Sequence, residues 1–267
     1  MYPEGISEEQ QKYLKRIKSQ KRFILVMRIL LVISFFALWE TATRLKWMDP
    51  FIFSSPVRMV STIARLIEEG SIFLHIWTTL WETVVGFLLG TLIGILIAIV
   101  LWVSMTISKI IEPYLVVANA LPKIALGPVF IVWLGAGPAS IITVAVSISL
   151  IVTVLEVYTG FQEADPEKIR LVKSFGASNK QVLTKVILPS SFPVMMSALK
   201  VNVGLSWVGV IVGEFLVSKA GLGYLIVYGG QVFQLDLVMT SVLILSVLAA
   251  LMYFGVQLLG KRIGKKY

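Results

Sequence analysis

TVVGFLLGTLIGILIAIVLWVSMTIS, residues 83–108, carries no charged side chain. As an α-helix it is long enough to cross about 30 Å of hydrocarbon. A second uncharged run, Leu237 to Gly260, meets the same test. A chain that is 57% hydrophobic, with mean hydropathy +0.87, does not have the composition of a soluble globular protein. Membrane β-barrels alternate polar and apolar residues over segments of about ten, which these continuous runs do not. The sequence predicts an all-α polytopic membrane protein.

Within the first run Gly86, Gly90 and Gly94 sit four apart. That spacing lets another helix backbone approach closely, although glycine is common in membrane helices anyway. Outward from it, six spans are expected: Phe23–Trp39, Ile76–Val103, Pro113–Leu134, Ala139–Tyr158, Val194–Leu216 and Leu237–Leu259. The chain divides into a tail over 1–22, one transmembrane domain over 23–260 with a polar loop at 160–193, and a tail over 261–267. Between the first two spans, Pro56–Glu69 reads as an amphipathic surface helix with Val57, Val60, Ile63, Ala64 and Ile67 on one side. Six spans place both termini on one face. Sixteen Lys and Arg lie on that face and five (Arg44, Lys46, Arg58, Arg65, Lys219) on the other. The positive-inside rule then puts both termini and the polar loop in the cytoplasm of a multi-pass cell-membrane protein.

Several functions are excluded by composition. There is no cysteine and a single histidine, His75, so thiolate clusters and multi-histidine metal sites cannot form within one chain. The net charge of +9 follows from membrane topology and does not point to nucleic acid. No G-x-x-x-x-G-K-[ST] phosphate loop and no nucleophile spacing is present, so the chain is read as no enzyme and as holding no cofactor. The charges that fall within spans are Arg28, Lys123 and Lys200, with Glu82, Glu156 and Glu214 at the margins. Lys123 sits mid-span in LPKIALGP, residues 121–128, where a cation costs about 3 kcal/mol. It either lines an anion-permeable path or snorkels and pairs internally. Asn119 and Asn202 are interhelical hydrogen bonders or path residues, and Glu214 is a structural pair or a substrate contact. These four are the candidate path residues.

The polar loop, GFQEADPEKIRLVKSFGASNKQVLTKVILPSSFP over 160–193, is built to fold. Asp165 suits an N-cap, Pro166 the first helical position and Glu167 the positive end of the dipole. Ile169, Val172 and Phe175 fall on one face, and Gly176 supplies a left-handed stop. Ser178 and Gln181 are spaced as a capping box for a second helix that ends before Pro189. The expected element is a helix–Gly–helix unit offering an exposed apolar ridge.

Gly176, nine residues and then Val186-Ile187-Leu188-Pro189 resembles the cytoplasmic signature of ABC-importer permeases, E-A-A-x-x-x-G-x9-I-x-L-P. Arg170-Leu171-Val172 stands where Glu-Ala-Ala would. The 121–128 segment through Trp133-Leu134-Gly135, the stretch Pro189–Pro193 and Gly213-Glu214-Phe215 leading to Gly221-Leu222-Gly223 are similar to the nitrate/sulfonate/taurine-type subgroup. The resemblance covers roughly Pro56 to the C-terminus.

It implies a type I importer permease fold of six helices, working as a pair of membrane subunits, a homodimer in the simplest case. Its other implied partners are two ABC ATPase subunits, which bind the ATP, an extracytoplasmic solute-binding protein and the lipid bilayer. The ATPase-coupling residues it implies are Asp165, Ile169, Arg170, Leu171, Val172, Phe175, Gly176, Ala177, Ser178, Leu188 and Pro189. Implied cargoes are nitrate, sulfonates or taurine, with a thiamine-precursor pyrimidine, riboflavin or an aromatic acid as alternatives. The competing class is an ion-coupled secondary transporter.

Overall fold

Two prolines decide where a helix breaks and where one continues. The computed structural model describes residues 8–264, which form helices and turns and, among themselves, no strand. In chain order these are α1 (Glu8–Arg44), α2 (Pro50–Phe53), α3 (Pro56–Glu68), α4 (Ile72–Val103), α5 (Met105–Ala120), a 3-10 turn (Lys123–Leu126), α6 (Gly127–Leu134), α7 (Pro138–Gln162), α8 (Pro166–Ser174), α9 (Asn179–Val182), a π turn (Leu183–Ile187), α10 (Leu188–Val217), α11 (Leu222–Gln231) and α12 (Leu235–Ile263). Residues 1–7 and 265–267, the ends of the two expected tails, lie outside the described residues. Five of these stretches are long and apolar enough to cross a membrane, and six if the bent pair 105–134 counts as one.

The third span is that pair. It begins at Met105 rather than Pro113 and turns through 88° between Ala120 and Lys123. Pro122 has no N–H, and its ring drives Leu121 into an extended conformation with ψ 139°, which a helix cannot pass through. Pro189 does the opposite. It was expected to end the helix begun at Ser178, yet one helical span runs from Asn179 to Val217. The turn at 183–187 widens, so that the Leu188 N–H reaches back to the Leu183 carbonyl. A π turn gives room to a residue that cannot donate, and the helix continues.

Other boundaries also shift. The first helix takes in most of the expected N-terminal tail, and the second span starts at Ile72. In α3 the face turned to the protein is Met59, Thr62 and Leu66, while Val57, Val60, Ala64 and Ile67 are exposed. Ser55 caps α3, and Arg58 Nη2 holds Asp236 Oδ2 of α12 at 2.6 Å. These ties fix which side faces inward. Beside a membrane an apolar stripe has lipid as well as protein to face.

The centre of the bundle is α7, packed by glycines on both sides. A Cβ at Gly86 of α4 would lie 3.0 Å from Ala145 Cβ; at Gly90 it would overlap Ser149, and at Gly94 it would lie 2.7 Å from Thr153. Both sets of residues ascend together, so α4 and α7 run parallel. On α10 the order reverses: Gly209 lies over Ala145 and Gly213 over Ile141, so α10 is antiparallel to α7. Parallel second and fourth spans require the bent pair between them to cross the membrane once. The small-residue spacing is thus a packing face.

Asn202, fully buried, joins the three central helices. Its Nδ2 donates to Thr91 Oγ1 of α4 at 3.2 Å and to Thr153 Oγ1 of α7. Replacing Asn202 with leucine is expected to lower stability by about 1 kcal/mol, as interhelical hydrogen bonds in membranes do. Thr153 keeps its own donation to Ser149 O, whereas the buried Thr91 hydroxyl loses its partner. Reversible unfolding in mixed micelles measures the difference; a variant as stable as the parent shows the knot contributes nothing.

Candidate functional site

The loop at 160–193 folds as a tight helix–Gly–helix unit. Asp165 Oδ1 accepts from the Glu167 N–H at 2.9 Å, and Pro166 opens α8. At the far end Gly176, with φ +81°, closes a two-bond stop: its N–H reaches Lys173 O at 2.9 Å, and the Ala177 N–H reaches Val172 O at 3.1 Å. Few residues other than glycine take that φ without strain. Ser178 and Gln181 then cap each other, with Ser178 N–H donating to Gln181 Oε1 at 2.7 Å and Gln181 N–H donating to Ser178 Oγ at 3.3 Å. Leu188 and Pro189 follow directly on the π turn.

The expected ridge is divided between two faces. Ile169, Val172 and Ala177 pack on the bundle's own cluster of Ala98, Val157, Phe161, Ala164, Val182, Ile187 and Ala198. They fasten the unit to α4, α7 and α10. What it presents outward is Leu171, 58% exposed, and Phe175, 82% exposed. Val172, Phe175, Gly176, Ala177, Gln181 and Lys185 line a groove of about 290 Å³. Arg170 is exposed and makes no ion pair among the described residues. A three-residue period in sequence cannot distinguish the half of a short helix that serves its own core from the half that does not.

The four expected path residues do not converge. Lys123 lies in the 3-10 turn, half-buried, and its Nζ donates to Asn119 O at 3.0 Å and Oδ1 at 3.5 Å. Asn119 is exposed. The lysine therefore reaches back across the helix break to the end of α5, in a stretch whose Val116, Val117, Ile124 and Val132 are exposed. Asn202 is spent on the knot between α4, α7 and α10. Glu214, on α10, reaches the start of α11, where its Oε2 accepts from the Gly223 N–H at 2.6 Å and the Tyr224 N–H at 3.4 Å.

Sequence reasoning missed what surrounds Glu214. His75, Thr79 and Glu82 fall at i, i+4 and i+7 on one face of α4. His75 Nδ1 accepts from the Gly221 N–H at 3.0 Å, and Thr79 Oγ1 accepts from the Leu222 N–H at 2.7 Å. Glu82, two turns on from His75, is buried as Glu214 is, and Oε2 of Glu82 has no hydrogen-bond partner among the described residues. The spacing on α4 was visible; its partner, more than a hundred residues later, was not. Among the described residues no three His, Asp or Glu side chains converge as a metal site.

Residues 90–266 match the family model described as binding-protein-dependent transport system inner membrane component. A probable ABC transporter permease protein of Haemophilus influenzae is 32% identical over 237 residues, 88% of this chain and 93% of that one. The taurine transport system permease protein of Escherichia coli is 23% identical, covering 84% of each chain. A putative aliphatic sulfonates transport permease protein of Bacillus subtilis is 26% identical, over 94% of this chain and 91% of the other. Among solved structures, an inward-facing form of the MetNI methionine ABC transporter aligns with TM-score 0.62 at 20% identity, over 73% of this chain and 96% of that chain. That likeness establishes a shared fold.

Proposed function

The chain belongs to the family of binding-protein-dependent transport system inner membrane components, and from that membership we propose how this ABC-importer permease works. Two copies form the membrane part of an importer. Each docks an ATP-hydrolysing subunit on its 160–193 unit, and an extracytoplasmic binding protein delivers the solute. The observation that carries the docking role is the exposed Leu171–Phe175 pair on a unit whose other face is anchored in the bundle. Anchoring on one side and presenting an aromatic anchor on the other is how a short helix in a groove transmits movement. The basic loop and tails lie on the cytoplasmic side, where ATP is.

The solute path in this proposal runs between the two copies along the broken third span. Irregular backbone at membrane depth is tolerated where it lines a water-filled cavity or is covered by protein. The turn carrying Lys123 has an exposed apolar flank that a second copy would cover. A lysine on each side of such a path favours small oxyanions, in keeping with a taurine and a sulfonate permease among the chain's relatives.

The test is reconstitution of the chain with its ATPase and binding protein in vesicles, offered taurine, alkanesulfonates and nitrate. Uptake of one of these, dependent on ATP and on both partners, is the expected result. Uptake by the chain alone, driven by an ion gradient, overturns the proposal.

A further inference from the structure

The first span stands off from the rest of the bundle. Residues 21–35 of α1 are all exposed. Near its C-terminal end the helix is tied to its own chain, where Glu40 Oε2 accepts from the Val57 N–H at 3.2 Å. There α1, the short α2 and the start of α12 enclose an apolar groove of about 450 Å³, lined by Phe35, Leu38, Trp39, Phe53 and Met239 among others. Phe51, nearly opposite Phe53 on α2, lines a second cavity of about 480 Å³. This one is polar: Arg58, Arg65, Gln234 and Asp236 face it. Leu237 borders the polar cavity and Met239 the apolar groove, so the two spaces are neighbours on either side of α2.

Within the polar cavity the charges are unequally engaged. Asp236 Oδ2 accepts from Arg58 Nε at 3.0 Å and Nη2 at 2.6 Å, and Arg58 Nη1 donates to Pro50 O at 3.0 Å. That ion pair is neutral and uses three of the five N–H groups of the guanidinium, leaving two. Arg65 lies two turns further along the same face of α3. Its Nε is 3.9 Å from Glu69 Oε1, and about half of each side chain is exposed; the distance is too long for a hydrogen bond. The cavity thus offers a loosely held guanidinium beside the spare N–H groups of a second one, an arrangement that suits a phosphate.

The apolar groove adjoins the exposed stretch of α1 and opens on hydrocarbon. An acyl chain gains little by leaving the bilayer for it, because lipid tails are as apolar as the groove. The phosphate supplies the difference. We propose that groove and cavity are two halves of one phospholipid site: the phosphodiester meets Arg65 and the spare N–H groups of Arg58, and an acyl chain runs between α1 and α12 past Trp39 and Phe35. The order of the two spaces is that of a lipid in a leaflet, with the charged head at the interface and Trp39 at the level where amphipathic rings collect. A lipid seated there fills the space beside α1 and holds the first span to the bundle.

Native mass spectrometry of the full-length chain, stripped of lipid in detergent and titrated with dioleoylphosphatidylethanolamine, tests this. One phospholipid per chain is expected to be retained. Dioleoylglycerol, with the same chains and no phosphate, is expected to be retained far less, and so is inorganic phosphate. Arg65→Gln is expected to weaken retention about tenfold, as the loss of a charge-assisted contact does. Leu38→Trp, which fills the groove from an exposed position, is expected to weaken it as well. Arg44→Gln, near the same end of α1 but lining neither space, is expected to match the parent. All three variants alter exposed side chains, so without lipid each is expected to melt within a few degrees of the parent. Retention equal to the parent's in Arg65→Gln or Leu38→Trp overturns the proposal, as does equal retention of dioleoylglycerol or an equal loss in Arg44→Gln. A parent chain that retains no phospholipid also overturns it; cross-linking of two copies through Leu38→Cys then gives the groove to a second copy. None of these readouts depends on transport or on the ATPase.

Discussion

Aspartate at both Leu171 and Phe175 is expected to abolish ATP-driven uptake by the assembled importer while the chain still inserts and purifies as the parent does. Both side chains are exposed, so the substitution costs the isolated subunit little. In a docked complex they are the apolar anchors of the outward face. An anchor buried at the centre of an interface is worth about 2 kcal/mol or more, on the order of a 30-fold loss in ATPase affinity for each residue. The same substitution at Ile169 or Val172 is expected to fail differently. Those side chains are partly buried against the cluster that contains Phe161 and Val182, and a charge placed there is buried without a partner. The result is a lower yield of folded chain. Size-exclusion profiles of each variant, alone and with the ATPase, separate the outcomes. Normal uptake by the Leu171, Phe175 double variant refutes the docking role; normal folding of Val172→Asp refutes the assignment of faces.

This division of one short helix marks where sequence stops being informative. Caps and stops are local, so Asp165, Gly176, Ser178 and Gln181 could be read from spacing, and the structure places each in the expected hydrogen bond. The membrane class was legible for a similar reason, since charge-free runs of such length have few alternatives. Pro189 was misread, and so was the course of the third span. Hydropathy sees residues 113–134 as one continuous run and is blind to the effect of Pro122 on Leu121. Pro189 read as a stop because a π turn is not encoded in any local pattern of residue types. On α3 the periodicity was real, but amphipathicity does not say which apolar medium each side meets. The cluster at the start of α11 was hidden for the plainest reason: His75, Thr79 and Glu214 meet the N–H groups of Gly221, Leu222 and Gly223 only when α4, α10 and α11 assemble.

The glycines of the central helices make the sharpest claims, because the obstacle differs from one to the next. At Gly209 a Cβ would run into the main chain of Ala145, lying 3.1 Å from its N and closer to its Cα. Backbone cannot rotate away, so α10 and α7 must separate, and Gly209→Ala is expected to cost about 1–3 kcal/mol or more. At Gly86 the close neighbour is the Ala145 side chain alone, at 3.0 Å, with Ile142 O next at 3.9 Å. Gly204 and Gly255 have nothing within 4 Å, so alanine there is expected to be neutral or to stabilise the helix by up to about 1 kcal/mol. These readings separate in a double-mutant cycle with Ala145→Gly. Removing the Ala145 methyl is expected to relieve Gly86→Ala and to leave Gly209→Ala as damaging as before, because its clash is with main chain. Reversible unfolding in mixed micelles gives the coupling energies. Equal rescue of both would mean that α10 rests on the Ala145 side chain and that the backbone approach between α7 and α10 is not what holds the bundle's centre together.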